Sequence, residues 1–168
     1  MRQDAMAIFK AGLSAVEPMA SVKKHCRCDD NGQHLLIGDH CIDLKRIQNI
    51  YVVGAGKASA PMAAAVEEVL GNRITAGSVT VKYRHVADLR HIDLVEAGHP
   101  VPDENGVMGA EKILSLVSSV TADDLVICLI SGGGSALLSL PCRPPALPWP
   151  TNKRQRRPCW HAGPPSTR

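Results

Sequence analysis

Aromatic side chains are almost absent: one Phe, two Tyr and two Trp make up 3% of 168 residues. A core must then be built from Ala, Val, Ile and Leu, and the chain is long enough for one domain of that kind. No apolar run approaches the ~20 residues that a membrane span requires. Met1-Arg2-Gln3-Asp4 does not lead into the basic and then apolar pattern of a secretion signal. A cytoplasmic protein without membrane contact is expected, and its six cysteines read as reduced thiols. His25-Cys26-Arg27-Cys28 lacks a second Cys/His pair at zinc-like spacing, so no metal site is expected there.

Acidic residues are missing altogether after Cys142. The same stretch holds six basic residues (Arg143, Lys153, Arg154, Arg156, Arg157 and Arg168), both tryptophans and seven of the twelve prolines. Without it the chain has thirteen Lys and Arg against sixteen Asp and Glu, so residues 1–141 carry −3 although the whole chain is +3. Such a shift marks a boundary. Residues 142–168 show no hydrophobic period, and a disordered tail without regular structure is expected. Lys153-Arg154-Gln155-Arg156-Arg157 has the form of a nucleic-acid or nuclear-import patch. It supports one competing reading, a non-catalytic basic-tailed binding protein, although no nucleic-acid partner is expected.

Within 1–141 the periodicity is more regular. Ala5, Ile8, Phe9, Leu13 and Val16 recur at helical spacing until Pro18. Asn31-Gly32 predicts a turn, and 35–44 an edge strand or hairpin arm. Strands alternating with helices then follow: Ile50–Val53, an Ala-rich helix ending at Leu70 before Gly71, Val79–Lys82, Asp93–Ala97, a helix from Glu104 to Val120 with Asp103 as its cap, and Leu125–Ile130. The last strand is apolar throughout, which predicts burial on both faces. The fold class expected is α/β, a doubly wound, mostly parallel, Rossmann-like sheet, incomplete within this chain.

Ligands of such sheets bind beyond the C-terminal ends of the strands. Gly54-Ala55-Gly56-Lys57-Ala58-Ser59 offers glycines for close approach, the free N–H groups of the following helix and the Lys57 cation. Its spacing is neither that of the P-loop nor, with Ser59 at the third small position, a full dinucleotide fingerprint. Ser131-Gly132-Gly133-Gly134-Ser135 predicts a nest of N–H groups flanked by hydroxyls, suited to phosphate or carboxylate. Gly98-His99-Pro100-Val101-Pro102-Asp103 brings His99 and Asp103 to the same edge, as possible ligand or acid/base contacts. A nicotinamide-dependent hydroxypyruvate reductase is the competing enzyme reading, but it needs an acidic residue at the end of the second strand, where Lys82 stands.

These three motifs, in this order, resemble the N-terminal domain of the type-2 glycerate kinases, also known as hydroxypyruvate reductases, over residues 1–141. The resemblance implies an ATP- and Mg²⁺-dependent kinase that converts D-glycerate to 2-phosphoglycerate. Lys57 matches the family's active-site lysine, and Ser131 to Ser135 its phosphate loop. It also implies a missing C-terminal domain that forms the other wall of the cleft, so this chain alone is expected to be inactive. Asp103 is the sole nearby carboxylate that suggests Mg²⁺, and no metal ligand is assigned.

The tail reads differently one base out of register. Taking the third base of each codon with the first two of the next, Trp149-Pro150 forces alanine, Cys159-Trp160 leucine and Trp160-His161 alanine, whatever codons are used. The remaining positions permit an amphipathic helix that resembles the family's next segment. A frameshift near Leu138 to Cys142 is therefore expected.

Overall fold

Pro18 divides the amino-terminal region of the computed structural model, which describes residues 2–140. Helix α1 (Arg2–Ala15) ends before the proline, and α2 (Pro18–His25) begins on it. Proline lacks the N–H that a helix interior needs but fits the first turn. Glu17 caps α2 by accepting the N–H groups of Met19 and Ala20 at 3.1 and 2.6 Å. The apolar stripe expected of the opening helix is present but covers nothing. No residue of α1 is buried, and Ile8 is 74% exposed.

A small antiparallel sheet follows, β1 (Cys26–Cys28), β2 (His34–Ile37) and β3 (His40–Asp43), in that order. The Asn31-Gly32 turn joins β1 to β2, where Asp29 Oδ1 accepts the N–H groups of Gln33 and His34 at 2.7 and 3.0 Å. The stretch 35–44 thus supplies both arms of a hairpin. Cys26 is buried in the core and the Cys28 thiol donates to Val69 O at 3.6 Å, so these cysteines attach the small sheet to the main body.

The main body is the expected α/β unit. β4 (Ile50–Ala55), α3 (Ser59–Leu70), β5 (Ala76–Lys82), β6 (Ile92–Ala97), α4 (Glu104–Val117), β7 (Leu125–Ile130) and α5 (Gly134–Leu137) follow in sequence. The four strands are parallel, in the order β6-β5-β4-β7. Ala60, Ala63 and Val66 of α3 pack on Ile50, Val52, Val79, Val81, Ile127 and Leu129, all on one face. Helix α4 lies on the other face, its Gly109 so close to β5 that an added Cβ would stand 3.1 Å from Thr80 Cγ2. One helix on each face is the doubly wound arrangement. Helix α4 stops at Val117 rather than Val120.

The expectation that β7 is buried on both faces is not met. Ile127 and Leu129 enter the core, whereas Val126, Cys128 and Ile130 stay exposed, Ile130 by 55%. Among the described residues β7 has one strand neighbour, β4, while α4 packs over β5 and β6. The tail expected over 142–168 lies outside the described residues.

Candidate functional site at the C-terminal edge of the sheet

In a parallel sheet every strand delivers its following loop to the same edge, and here the three motifs meet there. The loops after β4 and β7 are tied together by their backbones. Lys57 N–H donates to Gly132 O at 3.0 Å, Ser131 N–H to Ala55 O at 3.1 Å, and Gly56 N–H to Thr80 O at 3.1 Å. Ser131 Oγ accepts the Ala58 N–H at 3.0 Å and lies 3.2 Å from Ser59 Oγ, which itself donates to Leu129 O at 3.2 Å. A hydroxyl has one proton. Since that of Ser59 goes to Leu129 O, Ser131 is the donor in the pair, and its hydroxyl links the loops.

This corrects the expectation for the first glycine loop. The N–H groups of Gly56, Lys57, Ala58 and Ser59 are all engaged within the protein, so they do not form an open anion cradle. Gly54 and Gly56 are required by packing instead. An added Cβ would stand 2.8 Å from the carbonyl carbon of Leu129 at Gly54, and 2.8 Å from Ser131 O at Gly56.

The second loop retains its donors. The N–H groups of Gly132 and Gly133 have no acceptor among the described residues. Gly132 is exposed, and a Cβ there would meet only Lys57 Cε, at 4.0 Å, so the lysine stem passes over this loop. Lys57 is exposed, and its ammonium has no hydrogen bond or ion pair among the described residues. Gly134 is buried and starts α5, with its N–H donating to Ser131 O at 3.2 Å, and Ser135 is exposed on the same turn. Gly133 adopts φ +96°, a conformation natural only to glycine.

His99 stands against this loop: a Cβ on Gly133 would lie 2.7 Å from His99 Nε2. Burial, and then the cations Lys57 and Lys82, hold the His99 pKa below its ordinary 6.5. The unfolded chain therefore takes up this proton more readily than the folded one. Stability from His99 is full above pH 6.5 and is lost as pH falls through the lower, folded value. Urea midpoints should fall between pH 7 and 5 in the wild type and flatten in His99→Gln; an equal fall in both would exclude His99 as the cause.

Asp103 faces elsewhere. One carboxylate oxygen caps α4 by accepting Gly106 N–H at 3.1 Å, and the other accepts the Tyr83 hydroxyl at 2.7 Å. Asn105 Nδ2 donates to the same hydroxyl at 3.0 Å. The hydrogen bond to Asp103 raises the Tyr83 pKa. Asp103→Ala should cost about 1 kcal/mol in denaturant unfolding, the loss of an N-cap, and should move the tyrosinate absorbance titration of Tyr83 downward. An unmoved titration would separate Tyr83 from Asp103. Tyr83 does not stand out in the sequence, and Lys82 does so only by its place where a ribose-binding carboxylate would end the strand; the signal of both is positional.

No group of three or more His, Cys, Asp and Glu side chains is arranged around a metal position among the described residues. With Asp103 committed to Tyr83 and Gly106, the donor set at this edge does not fit Mg²⁺. It does fit an anion, through two unengaged N–H groups and a lysine.

The family described as Domain of unknown function (DUF4147) matches residues 4–148. A glycerate 2-kinase from Pyrococcus horikoshii is 33% identical over 141 residues, covering 84% of this chain and 31% of its own. A D-glycerate 2-kinase from Thermotoga maritima is 34% identical over 142 residues, covering 84% and 30%. An Agrobacterium vitis protein that carries a hydroxypyruvate reductase name is 39% identical over 140 residues, covering 83% and 28%. The chain thus spans less than a third of the length of these relatives. Among solved structures, a Pyrococcus horikoshii protein superposes with a TM-score of 0.73 at 33% identity, covering 83% of this chain and 31% of that one. The Thermotoga maritima glycerate kinase superposes with a TM-score of 0.64 at 36% identity, covering 82% and 30%. The chain belongs to the DUF4147 family, and the proteins similar to it include glycerate 2-kinases and proteins with hydroxypyruvate reductase names.

Proposed function

We propose that this chain is the anion-holding N-terminal part of a cytoplasmic, ATP-dependent glycerate 2-kinase, and that residues 1–168 alone do not catalyse. The observation that carries this reading is the meeting of Lys57 with the unengaged N–H groups of Gly132 and Gly133 at the edge where α/β ligands bind. ATP would supply the phosphoryl group. Phosphoryl transfer asks a protein mainly to position reactants and neutralise charge. Lys57 would balance negative charge, Gly132 and Gly133 would hold phosphate or carboxylate oxygens, and Gly54, Gly56, Ser131 and Gly134 would keep the loops in register. Ser135 and His99 flank the cradle. Mg²⁺ ligands and the opposite wall of the cleft would come from the C-terminal domain.

The remaining proposals concern the rest of the coding sequence. Residues 1–141 form the kinase part, and 142–168 are the product of a frameshift that displaced its continuation. The three residues forced in the other frame support this. Among the described residues no helix is long and apolar enough to cross a membrane. For the hydroxypyruvate reductase reading, β5 ends on Lys82 where an acidic residue is needed to hold a ribose.

The test is formation of 2-phosphoglycerate from ATP and glycerate by the 168-residue chain and by a frame-restored version. Activity is expected only from the restored chain. Robust, equal activity from the short chain would refute its inactivity, and a folded but inactive restored chain would refute the kinase reading. Sequencing genomic DNA and transcript decides the frameshift.

A further inference from the structure

Ser59 breaks the dinucleotide fingerprint, standing where that pattern has a third glycine or alanine. It is the first residue of α3 and has no exposed surface, at 0%. A buried hydroxyl is costly unless it is hydrogen-bonded, and this one serves two partners on the neighbouring strand and its loop. It donates to Leu129 O of β7 and accepts the Ser131 proton, both at 3.2 Å. Ser131 Oγ in turn accepts the N–H of Ala58, the residue between Lys57 and Ser59. A directed chain thus runs from Ala58 N–H through the two hydroxyls to Leu129 O, in which each bond polarises the next. It joins the two halves of the cradle. β4 and β7 are hydrogen-bonded neighbours in the sheet. Lys57 stands on the loop after β4, next to Ala58, while Gly132 and Gly133 stand on the loop after β7, next to Ser131. The single proton of Ser131 is spent on Ser59, so it does not serve a ligand while the chain is intact.

We propose that Ser59 is a positioning residue of the cradle: by turning the Ser131 hydroxyl inward it holds the N–H groups of Gly132 and Gly133 in register with Lys57 for a phosphate-like anion, without touching that anion. This rests on the cradle reading above and adds to it a residue that acts through Ser131. Alanine at position 59 would fill nearly the same space but leave the Ser131 proton without this acceptor and Leu129 O without the hydroxyl. The backbone bonds from Lys57 N–H to Gly132 O and from Ser131 N–H to Ala55 O would remain. The loops would then stay paired while their spacing loosens. Ser78 of β5 is the natural contrast. It is equally buried, at 0%, but its hydroxyl has no hydrogen-bond partner among the described residues, so its removal breaks nothing.

The test titrates inorganic phosphate into the 168-residue chain, without Mg²⁺ and at constant ionic strength, while following amide resonances. Gly132 and Gly133 should shift in the wild type. Ser59→Ala should weaken phosphate binding about fivefold, the scale of one hydrogen bond, while Ser78→Ala leaves it unchanged. Ser131→Ala breaks the same chain at a less buried position and should cause an equal loss. The double variant should lose no more than either single one, because the two hydroxyls act as one unit. The spectra themselves report folding. Ser59→Cys, which keeps a weak donor in similar space, replaces the Ala variant if that unfolds and should show part of the loss. Unchanged affinity in the folded variant, losses that multiply in the double variant, or an equal loss in Ser78→Ala would each overturn the part of Ser59 and leave the cradle standing. Absence of any shift at Gly132 and Gly133 in the wild type would overturn the cradle and this proposal together.

Discussion

Gly56→Ala is expected to destabilise the chain by about 3–5 kcal/mol, combining backbone strain with a steric clash. Gly56 has φ +146°, a region that residues with a side chain rarely enter. Its added Cβ would press on the Ser131 hydroxyl and stand 2.8 Å from the Ser131 carbonyl oxygen. That oxygen cannot simply move away, because it accepts the Gly134 N–H while Ser131 N–H holds Ala55 O. Relief requires parting the β4 and β7 loops, with loss of the Lys57–Gly132 and Ala58–Ser131 hydrogen bonds. Against a typical total of about 5–15 kcal/mol, such a loss leaves little margin. Gly38→Ala is the matched control, since Gly38 also has positive φ, +57°, but nothing within 4 Å of an added Cβ. It should cost about 1 kcal/mol. Denaturant unfolding of both variants separates backbone strain from interlocking, and equal losses would show that the loops are not locked.

Lys57→Met should have the largest effect on chemistry, and it is measured in the frame-restored chain. Removing one group that stabilises transition-state charge typically costs about 10²–10³ in rate, and a loss of that size in kcat/KM is expected. Folding should be spared, because Lys57 is exposed and its ammonium supports no contact among the described residues. Its backbone N–H bond to Gly132 O is independent of the side chain. A fold-neutral variant with kcat/KM within threefold of the parent would remove Lys57 from the reaction. Lys57→Arg keeps the charge but not the compact ammonium and should recover only part of the rate.

The succession of strands and helices was legible because parallel strands leave a strong trace: Ile50–Val53 is an apolar run followed at once by Gly54, and Leu125–Ile130 one followed by Ser131 and three glycines. The meeting of the three motifs followed from the same rule. The engagement of particular N–H groups was not legible. Nothing in Gly54-Ala55-Gly56 indicates that Leu129 and Ser131, over seventy positions away, press on those glycines. Asp103 was read correctly as a cap, but its second partner, Tyr83, lies twenty positions earlier and joins it only through the β5–β6 pairing. The apolar pattern of β7 indicated two covered faces; apolarity alone does not say what packs on a strand, and among the described residues Val126, Cys128 and Ile130 stay exposed.

The outer edge of β7 also bears on the order in which a longer family member takes shape on the ribosome. Helix α3 carries the chain from β4 to β5 on one face, and α4 returns it from β6 to β7 on the other. A further right-handed unit moving outward from β7 would lay its helix on the α4 face, over Val126, Cys128 and Ile130. Synthesis runs at about 5–20 residues per second, and a strand–helix–strand unit needs about 30 residues, so a nascent half-sheet awaiting such a unit would keep this edge open for roughly two to six seconds. During that interval Val126, Cys128 and Ile130 would be accessible to chaperones and to neighbouring nascent chains.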